Sequence, residues 1–335
     1  MILRPSHNAR IRSRFDDDGR AGGSVSITLV LAFAMFFCRG ASARQPDTTL
    51  SAAGPIATFS RAGSLSIGPD GRLFVVERDL DQVLVFSADG VLIDRMGGPG
   101  FEEGRFDDPT DVDPGIGLVI SVADAGNSRV QRFTRDFRFI ESVPVDALSL
   151  ASDGAGEADN PNFRVGASGQ ERPPGGRPIA VTTSAADDLY VVDARARAVF
   201  RWDRDRRRHS VLGRDPGPGE LISPIDLVAM SNRLFVADAG CRCVVVFDQF
   251  GTFIRKIAAD RLPGVEAIDH SGDDLLITTA QRLFVYTIDG RRLREIAVAI
   301  DGGLIDAAYA DGRYYLLTGN GLYVATDAAP DGQRR

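Results

Sequence analysis

Four carboxylates fall at one recurring position of this chain. Across six repeated units that position is occupied by Ser66, Asp111, Ala180, Asp226, Glu266 and Asp306. If Asp111, Asp226, Glu266 and Asp306 point to a common axis, they offer the several oxygen ligands that calcium or another hard cation prefers. A water on such a metal would be a nucleophile suited to hydrolysis. A simpler use is available to the same side chains: each can accept a backbone N–H from the neighbouring unit, as buried polar groups require. Acids left close together and unpaired would instead demand protons or a cation.

The units that must position these acids are read from a second marker, the acidic residue ending the second strand of each unit. It is Glu77, Asp124, Asp193 and Asp238 in the first four units, and Thr279 and Thr318 stand at its place in the last two. An aromatic residue follows at a fixed spacing in the first four: Phe86, Phe133, Trp202 and Phe247. Short Val, Ile, Leu, Phe and Tyr runs separated by turn residues make up each unit, and no long helical periodicity interrupts them. A period of roughly 40–45 residues with four short strands per unit is the signature of a β-propeller blade. The wide gap between Asp124 and Asp193 holds an insertion, residues 146–177, rich in Gly, Pro, Ser, Asp and Asn.

The expected fold is therefore all-β: a six-bladed β-propeller of four-stranded antiparallel blades over residues 51–327, with a polar tail at 328–335. The sixth unit supplies only three strands. The missing one is expected from the other end, where Pro55-Ile56-Ala57-Thr58-Phe59 resembles the outer strands of other units. Pairing it with the last blade closes the ring and removes open sheet edges.

Residues 1–43 stand apart. Arg10, Arg12, Arg14 and Arg20 precede an apolar run from Val25 to Cys38, and Ala41-Ser42-Ala43 follows. That order describes a secretory signal peptide cut after Ala43, or an N-terminal anchor if it is retained. The chain carries a net charge of −7, and removing this basic leader makes the remainder more acidic, which excludes binding nucleic acid through its phosphates. Only Cys241 and Cys243 remain beyond the leader, so no disulfide framework is expected to hold the fold. They read as small residues of a hairpin turn.

The segments ADAGNSRVQRF, FVADAGCRCVVVF and the linker PGPGELISP resemble NHL repeats. The resemblance spans essentially residues 51–327 and is clearest in the second and fourth units. It implies a six-bladed propeller in the cell envelope with a habit of binding, and no activity. Lactonase-like propellers hold a divalent metal in their channel, which Asp226, Glu266 and Asp306 could imitate. Propellers resembling the peptide-amidating lyase use a zinc bound by several histidines; with only His209 and His270 beyond the leader, a three-histidine site is impossible within this chain. Arg129, Arg197 and Arg242 could form a basic rim, or bridge to the marker acids beside them. Long loops on rigid scaffolds often carry recognition, which makes Phe163 and Arg164 of the insertion candidate ligand contacts.

The expectation is thus an exported, monomeric binding or scaffold module for a protein, peptide or glycan of the cell envelope. It has no assigned catalytic residue, and its membrane contact is limited to a retained leader. The alternative is a metal-dependent hydrolase or lactonase built on Asp111, Asp226, Glu266 and Asp306.

Overall fold

The computed structural model describes residues 46–115, 118–145, 175–259 and 261–326. The leader, the body of the 146–177 insertion with Phe163 and Arg164, and the polar tail lie outside them. The described residues form six antiparallel blades in a ring. Before the first blade come β1 (Thr48–Ser51) and β2 (Ala57–Thr58). Blade one is β3 (Ala62–Ile67), β4 (Leu73–Glu77), β5 (Gln82–Phe86) and β6 (Leu92–Gly97). Blade two is β7 (Pro109–Asp113), β8 (Val119–Asp124), β9 (Arg129–Thr134) and β10 (Phe139–Pro144). Blade three is β11 (Pro178–Thr183), β12 (Leu189–Asp193), β13 (Ala198–Trp202) and β14 (Arg208–Leu212). Blade four is β15 (Pro224–Met230), β16 (Arg233–Asp238), β17 (Cys243–Asp248) and β18 (Phe253–Ile257). Blade five is β19 (Ala267–Ser271), β20 (Asp274–Thr279), β21 (Arg282–Thr287) and β22 (Arg292–Ala299). Blade six holds β23 (Leu304–Ala310), β24 (Arg313–Thr318) and β25 (Gly321–Thr326).

The fourth strand of blade six is β2, as the sequence pattern anticipates. Ala57 pairs with Leu322 and Thr58 with Gly321, and the Ile56 N–H donates to the Leu322 carbonyl at 2.7 Å. One strand goes beyond that expectation. β1 runs parallel to β22 and adds a fifth strand to blade five, with Leu50 opposite Val298. Leu50 is 1% exposed and packs among Leu283, Ile296 and Tyr314 between blades five and six. The N-terminal stretch thus straps both blades beside the seam where the ring closes.

Alternation explains the core. Successive strand residues face opposite sides of a blade, and both sides are covered by neighbours. The apolar side chains therefore collect into six wedges, one per blade pair, including the closing pair of blades six and one. In the wedge between blades one and two, Phe106 is fully buried and meets Phe133 edge-on at 5.9 Å between ring centroids. The linker before it starts with Gly97 at φ +96°, where a Cβ would fall 2.3 Å from the Phe106 ring. Gly213 and Leu221 repeat this close approach before blade four, which accounts for the glycine-rich linkers.

Blades two and three, separated by the insertion, are joined by a closed circuit of charges. Arg132, 3% exposed, reaches Glu141 at 2.7 Å and Asp187 at 2.5 Å, and Arg206 reaches the same two acids at 2.9 and 2.8 Å. Two acids and two guanidinium groups thus form a neutral circuit across the junction, each acid touching both arginines. Arg206 sits at φ +61°, a turn position held by Gly90, Gly251 and Gly290 in three other outer hairpins.

Deleting residues 46–59 from the leader-free protein exposes the edges of β22 and β25 and removes Leu50 from its wedge. The expected result is a lower urea midpoint together with concentration-dependent association in size-exclusion chromatography, because an unpaired strand edge invites another chain. An unchanged midpoint in a monodisperse deletion variant contradicts the role given to the strap.

Candidate functional site: the carboxylate channel

The innermost strand of five blades carries a register shift near its start: between Ala62 and Leu65, Pro109 and Asp111, Pro178 and Ala180, Pro224 and Asp226, and Leu304 and Asp306. Proline is tolerated at the first residue of a strand, and a bulge re-aims the side chain that follows. Asp111, Asp226 and Asp306 are brought to equivalent places in blades two, four and six. Asp111 accepts the Val112 N–H at 2.8 Å through Oδ1 and the Val181 N–H of blade three at 2.8 Å through Oδ2. Asp226 does the same with Leu227 at 2.7 Å and Ile268 of blade five at 2.8 Å. Asp306 takes Ala307 at 2.7 Å and Leu65 of blade one at 2.7 Å.

The alternate blades hold small residues at this place, and turn length moves one of the two predicted positions that differ. The first hairpin of blades four, five and six turns through two residues, as at Gly272 and Asp273, whereas that of blades one, two and three uses a longer turn. A shorter turn brings the matching position closer to the marker. In blade five it is therefore Ala267, opposite Thr278; in blade one, whose turn matches those of blades two and three, it is Ser64 rather than Ser66, as far before Glu77 as Asp111 is before Asp124. Glu266 precedes β19 and is exposed, so it does not join the other three acids. Ser66 donates its hydroxyl to the Val112 carbonyl at 2.7 Å.

Two acids absent from the predicted set lie on the inner strands. Asp269 of β19 accepts the His270 N–H at 2.7 Å. Asp113 of β7 accepts the Gly115 N–H at 2.7 Å through Oδ1, while its buried Oδ2 lacks a hydrogen bond of ordinary geometry. Their signal in the sequence was the alternation along the strand: Asp113 lies two residues beyond Asp111, and Asp269 two beyond Ala267.

Burial and like charge raise these acids together. Asp226 lies well above the ordinary carboxylate range, through burial first and then the charges of Asp111 and Asp306. Asp306 is also well above it, through burial, with Asp269 and Asp111 adding to the rise against the Leu65 hydrogen bond. Asp111 and Asp269 are raised, chiefly by burial. Asp113 is pushed up to about 6 by burial, with Asp111 adding to the rise. The channel therefore prefers neutral carboxyls or an accompanying cation.

A resident metal is a separate matter. The three equivalent acids each spend both oxygens on backbone N–H groups, and Glu266 is elsewhere. Among the described residues, no three His, Cys, Asp or Glu side chains gather in a ligand arrangement. This donor set as placed does not fit a calcium site, and no reaction step is derived through one.

The marker residues have a clear structural use. Asp238 accepts N–H groups from Ile222, Ser223, Gly240 and Cys241, tying the incoming connection to its own hairpin. Asp124 does this with the Asp107 N–H, Asn127, Gln131 and the Arg129 Nε at 2.7 Å. Arg129 thus bridges to its marker. Arg242 is exposed with φ +49°, at the turn position that Ser128 holds in blade two. Cys241 and Cys243 stand where blade two has Asn127 and Arg129, and they form a disulfide, correcting their reading as ordinary small residues. Closing so short a loop stabilises by about 1.5 kcal/mol in the chain-entropy account.

Asp113→Asn removes the ionisation of this buried carboxyl, which Thr183 also faces, while keeping Oδ1 for Gly115. For the native acid, the raised folded pKa makes stability fall as pH rises from the unfolded value near 4 to about 6, then level off. The variant is expected to be more stable than the native protein at pH 7.5, on the order of 2 kcal/mol, and the gain to shrink towards pH 4. Urea titrations at the two pH values measure this directly. A destabilised variant at pH 7.5 shows that Asp113 is held by partners that need its charge.

No protein-family model matches the chain, and no curated protein matches it by sequence. Solved structures do resemble it. A gluconolactonase from Xanthomonas campestris aligns with a TM-score of 0.56 and 13% identity, over 82% of this chain and 88% of that one. Virginiamycin B lyase from Staphylococcus aureus aligns with a TM-score of 0.53 and 14% identity, over 78% of this chain and 79% of that one. A streptogramin B lyase structure aligns over 85% of this chain and 88% of its own, at a TM-score of 0.53 and 10% identity. At such identities the likeness carries the fold alone. The chain is a six-bladed β-propeller, and these neighbours do not single out the NHL repeat among six-bladed families.

Proposed function

We propose that the chain is an exported binding module that holds a protein, peptide or glycan of the cell envelope on one face of the ring. The observation that carries this reading is the commitment of Asp111, Asp226 and Asp306 to backbone N–H groups of their own and the next blade. Carboxylates used in this way brace a scaffold rather than serve a reacting group.

The working face is the one bearing the inter-blade connections and the hairpins after the markers. Hydrogen bonds such as Arg78 N–H to the Arg61 carbonyl and Gly126 N–H to the Asp107 carbonyl hold the two kinds of loop together. Phe101, 75% exposed, lies here with exposed Leu80 and Ile222. Val145 and Gly176 lie on this face as well, with the Val145 N–H on the Ser128 carbonyl and the Gly176 N–H on the Val145 carbonyl. Exposed apolar side chains around polar loops suit a recognition surface. Export is supported by the leader pattern and by the Cys241–Cys243 disulfide, a bond that persists in oxidising compartments.

A thiol titration of the denatured, unreduced leader-free protein, produced with export, is expected to find no free thiol at Cys241 or Cys243. Two free thiols there would withdraw the disulfide's support for export.

Binding is tested with the Leu80→Asp/Phe101→Asp double variant. The native protein, immobilised, is expected to retain a component of envelope extract in a saturable manner. The variant should lose at least roughly tenfold in affinity for that purified component, without a lower melting temperature. Equal retention by both proteins removes this face from the reading. Lactone hydrolysis that depends on added calcium and vanishes in Asp226→Asn would replace the binding module with the metal-dependent hydrolase.

A further inference from the structure

On the opposite face, between blades one and two, Arg72, Asp94, Arg135, Asp136 and Phe137 line a cavity of about 510 Å³. That volume suits a small organic ligand. Its walls are unusual in two respects. First, two cations share one anion: Arg72 Nε lies 2.8 Å and Arg135 Nη2 3.5 Å from the same Oδ2 of Asp70. Asp70 thus bridges both guanidinium groups; of the acids on the wall, Asp136 is paired with Arg138 at 3.0 Å and Asp94 stands beside them. The Arg72 side chain donates to Asp70 through Nε, which leaves its two Nη groups as donors beside Arg135.

Second, Phe137 is placed at backbone expense. It takes φ +64° in the outer hairpin of blade two, where its N–H closes the turn onto the Thr134 carbonyl. The same turn position is Gly90, Gly251 and Gly290 in blades one, four and five, residues that adopt a positive φ freely. Blade three has Arg206 there, and its charge circuit with Glu141 and Asp187 explains the exception. A bulky aromatic residue in this conformation is a steric outlier, offset in part by packing of its ring on the apolar wedge between blades one and two. Here the ring lies 5.6 Å from the Arg72 guanidinium carbon, with Phe74 at 5.4 Å from the same carbon. Arg72 is thus held between charge and aromatic partners, and Phe137 presents a ring at the cavity wall.

We propose that this cavity binds a small monoanion joining a carboxylate to an aromatic ring. The carboxylate is received by Arg72 and Arg135, whose planar donor pairs match its two oxygens. The ligand's ring lies against Phe137, where aromatic pairs add to buried area. Asp94 and Asp136 on the wall oppose a second negative charge, so a monoanion is favoured over a phosphate dianion.

Phenylacetate is the probe, with acetate and benzyl alcohol as controls that each lack one half of it. Saturation-transfer NMR and calorimetry on the leader-free chain are expected to show phenylacetate bound at least roughly tenfold more tightly than either control. Phe137→Gly relieves the positive φ and gives up a ring packed on the wedge between blades one and two, two opposing effects on the melting temperature, while phenylacetate affinity is expected to fall at least roughly tenfold in the folded variant. Arg135→Gln, at an exposed side chain, should lose a similar factor with the fold intact. Absence of phenylacetate binding to the native protein overturns the proposal, as does affinity within twofold of native in either variant. Because the cavity lies on the face opposite the proposed recognition surface, these results are independent of the Leu80/Phe101 test.

Discussion

The ring rests on a repeated polar lock at the end of each second strand. A buried side-chain oxygen there accepts backbone N–H groups that strands cannot satisfy themselves. Glu77 takes the N–H groups of Ser60, Arg61 and Asp79. Asp193 takes those of Arg177, Arg195 and Ala196. In each case one side of the contact is the chain arriving from the previous blade, and the other is the blade's own hairpin. Blades five and six use a hydroxyl instead: the Thr279 and Thr318 Oγ1 atoms accept from Arg282 and Gly321. A hydroxyl has fewer acceptor sites than a carboxylate, and the hairpins that follow these threonines are correspondingly shorter. The apolar wedges supply the larger driving force, but the locks decide where each blade begins.

The channel repeats this logic with threefold rather than sixfold regularity. Blades two, four and six contribute an aspartate, and blades one, three and five contribute a small residue and a free N–H. Asp111, Asp226 and Asp306 each bind one N–H on each side of a blade boundary. Six aspartates would crowd six charges around one axis, whereas three reach across every second boundary. The raised protonation of the acids already present shows the electrostatic cost of even this number.

Irregular features concentrate at blades one to three. The insertion, the Arg132–Glu141–Arg206–Asp187 circuit and both bulky residues at glycine-type outer turns are found there. The long connection between blades two and three lengthens the loop that must close when they pack, and the charge circuit adds a contact across that boundary. A regular propeller can be assembled from near-identical units; departures such as Phe137 and Arg206 are where this one acquires individual chemistry.

Much of the architecture was legible in the residues. The marker spacing, the glycine-rich linkers and the strand resemblance around Pro55–Phe59 led to six blades and to their closure, because period, turn chemistry and alternation are local properties of a chain. The acids at Asp111, Asp226 and Asp306 were legible for the same reason: they sit at one fixed distance from a proline or a marker. What failed in blade five was an inference that crossed a turn of unknown length. Glu266 lies one residue off the matching position because the shorter first hairpin of blade five moves the inner-strand register while leaving the repeat recognisable; Ser66 lies two residues past Ser64 in a blade whose turn is no different from those of blades two and three. The pairing of Cys241 with Cys243, the parallel β1 on β22, the shared Asp70 of Arg72 and Arg135, and the inter-blade charge circuit were decided only by tertiary structure. Each depends on side chains converging in space. Local sequence records which groups are present, but the distance between groups on different strands is set by packing of whole blades.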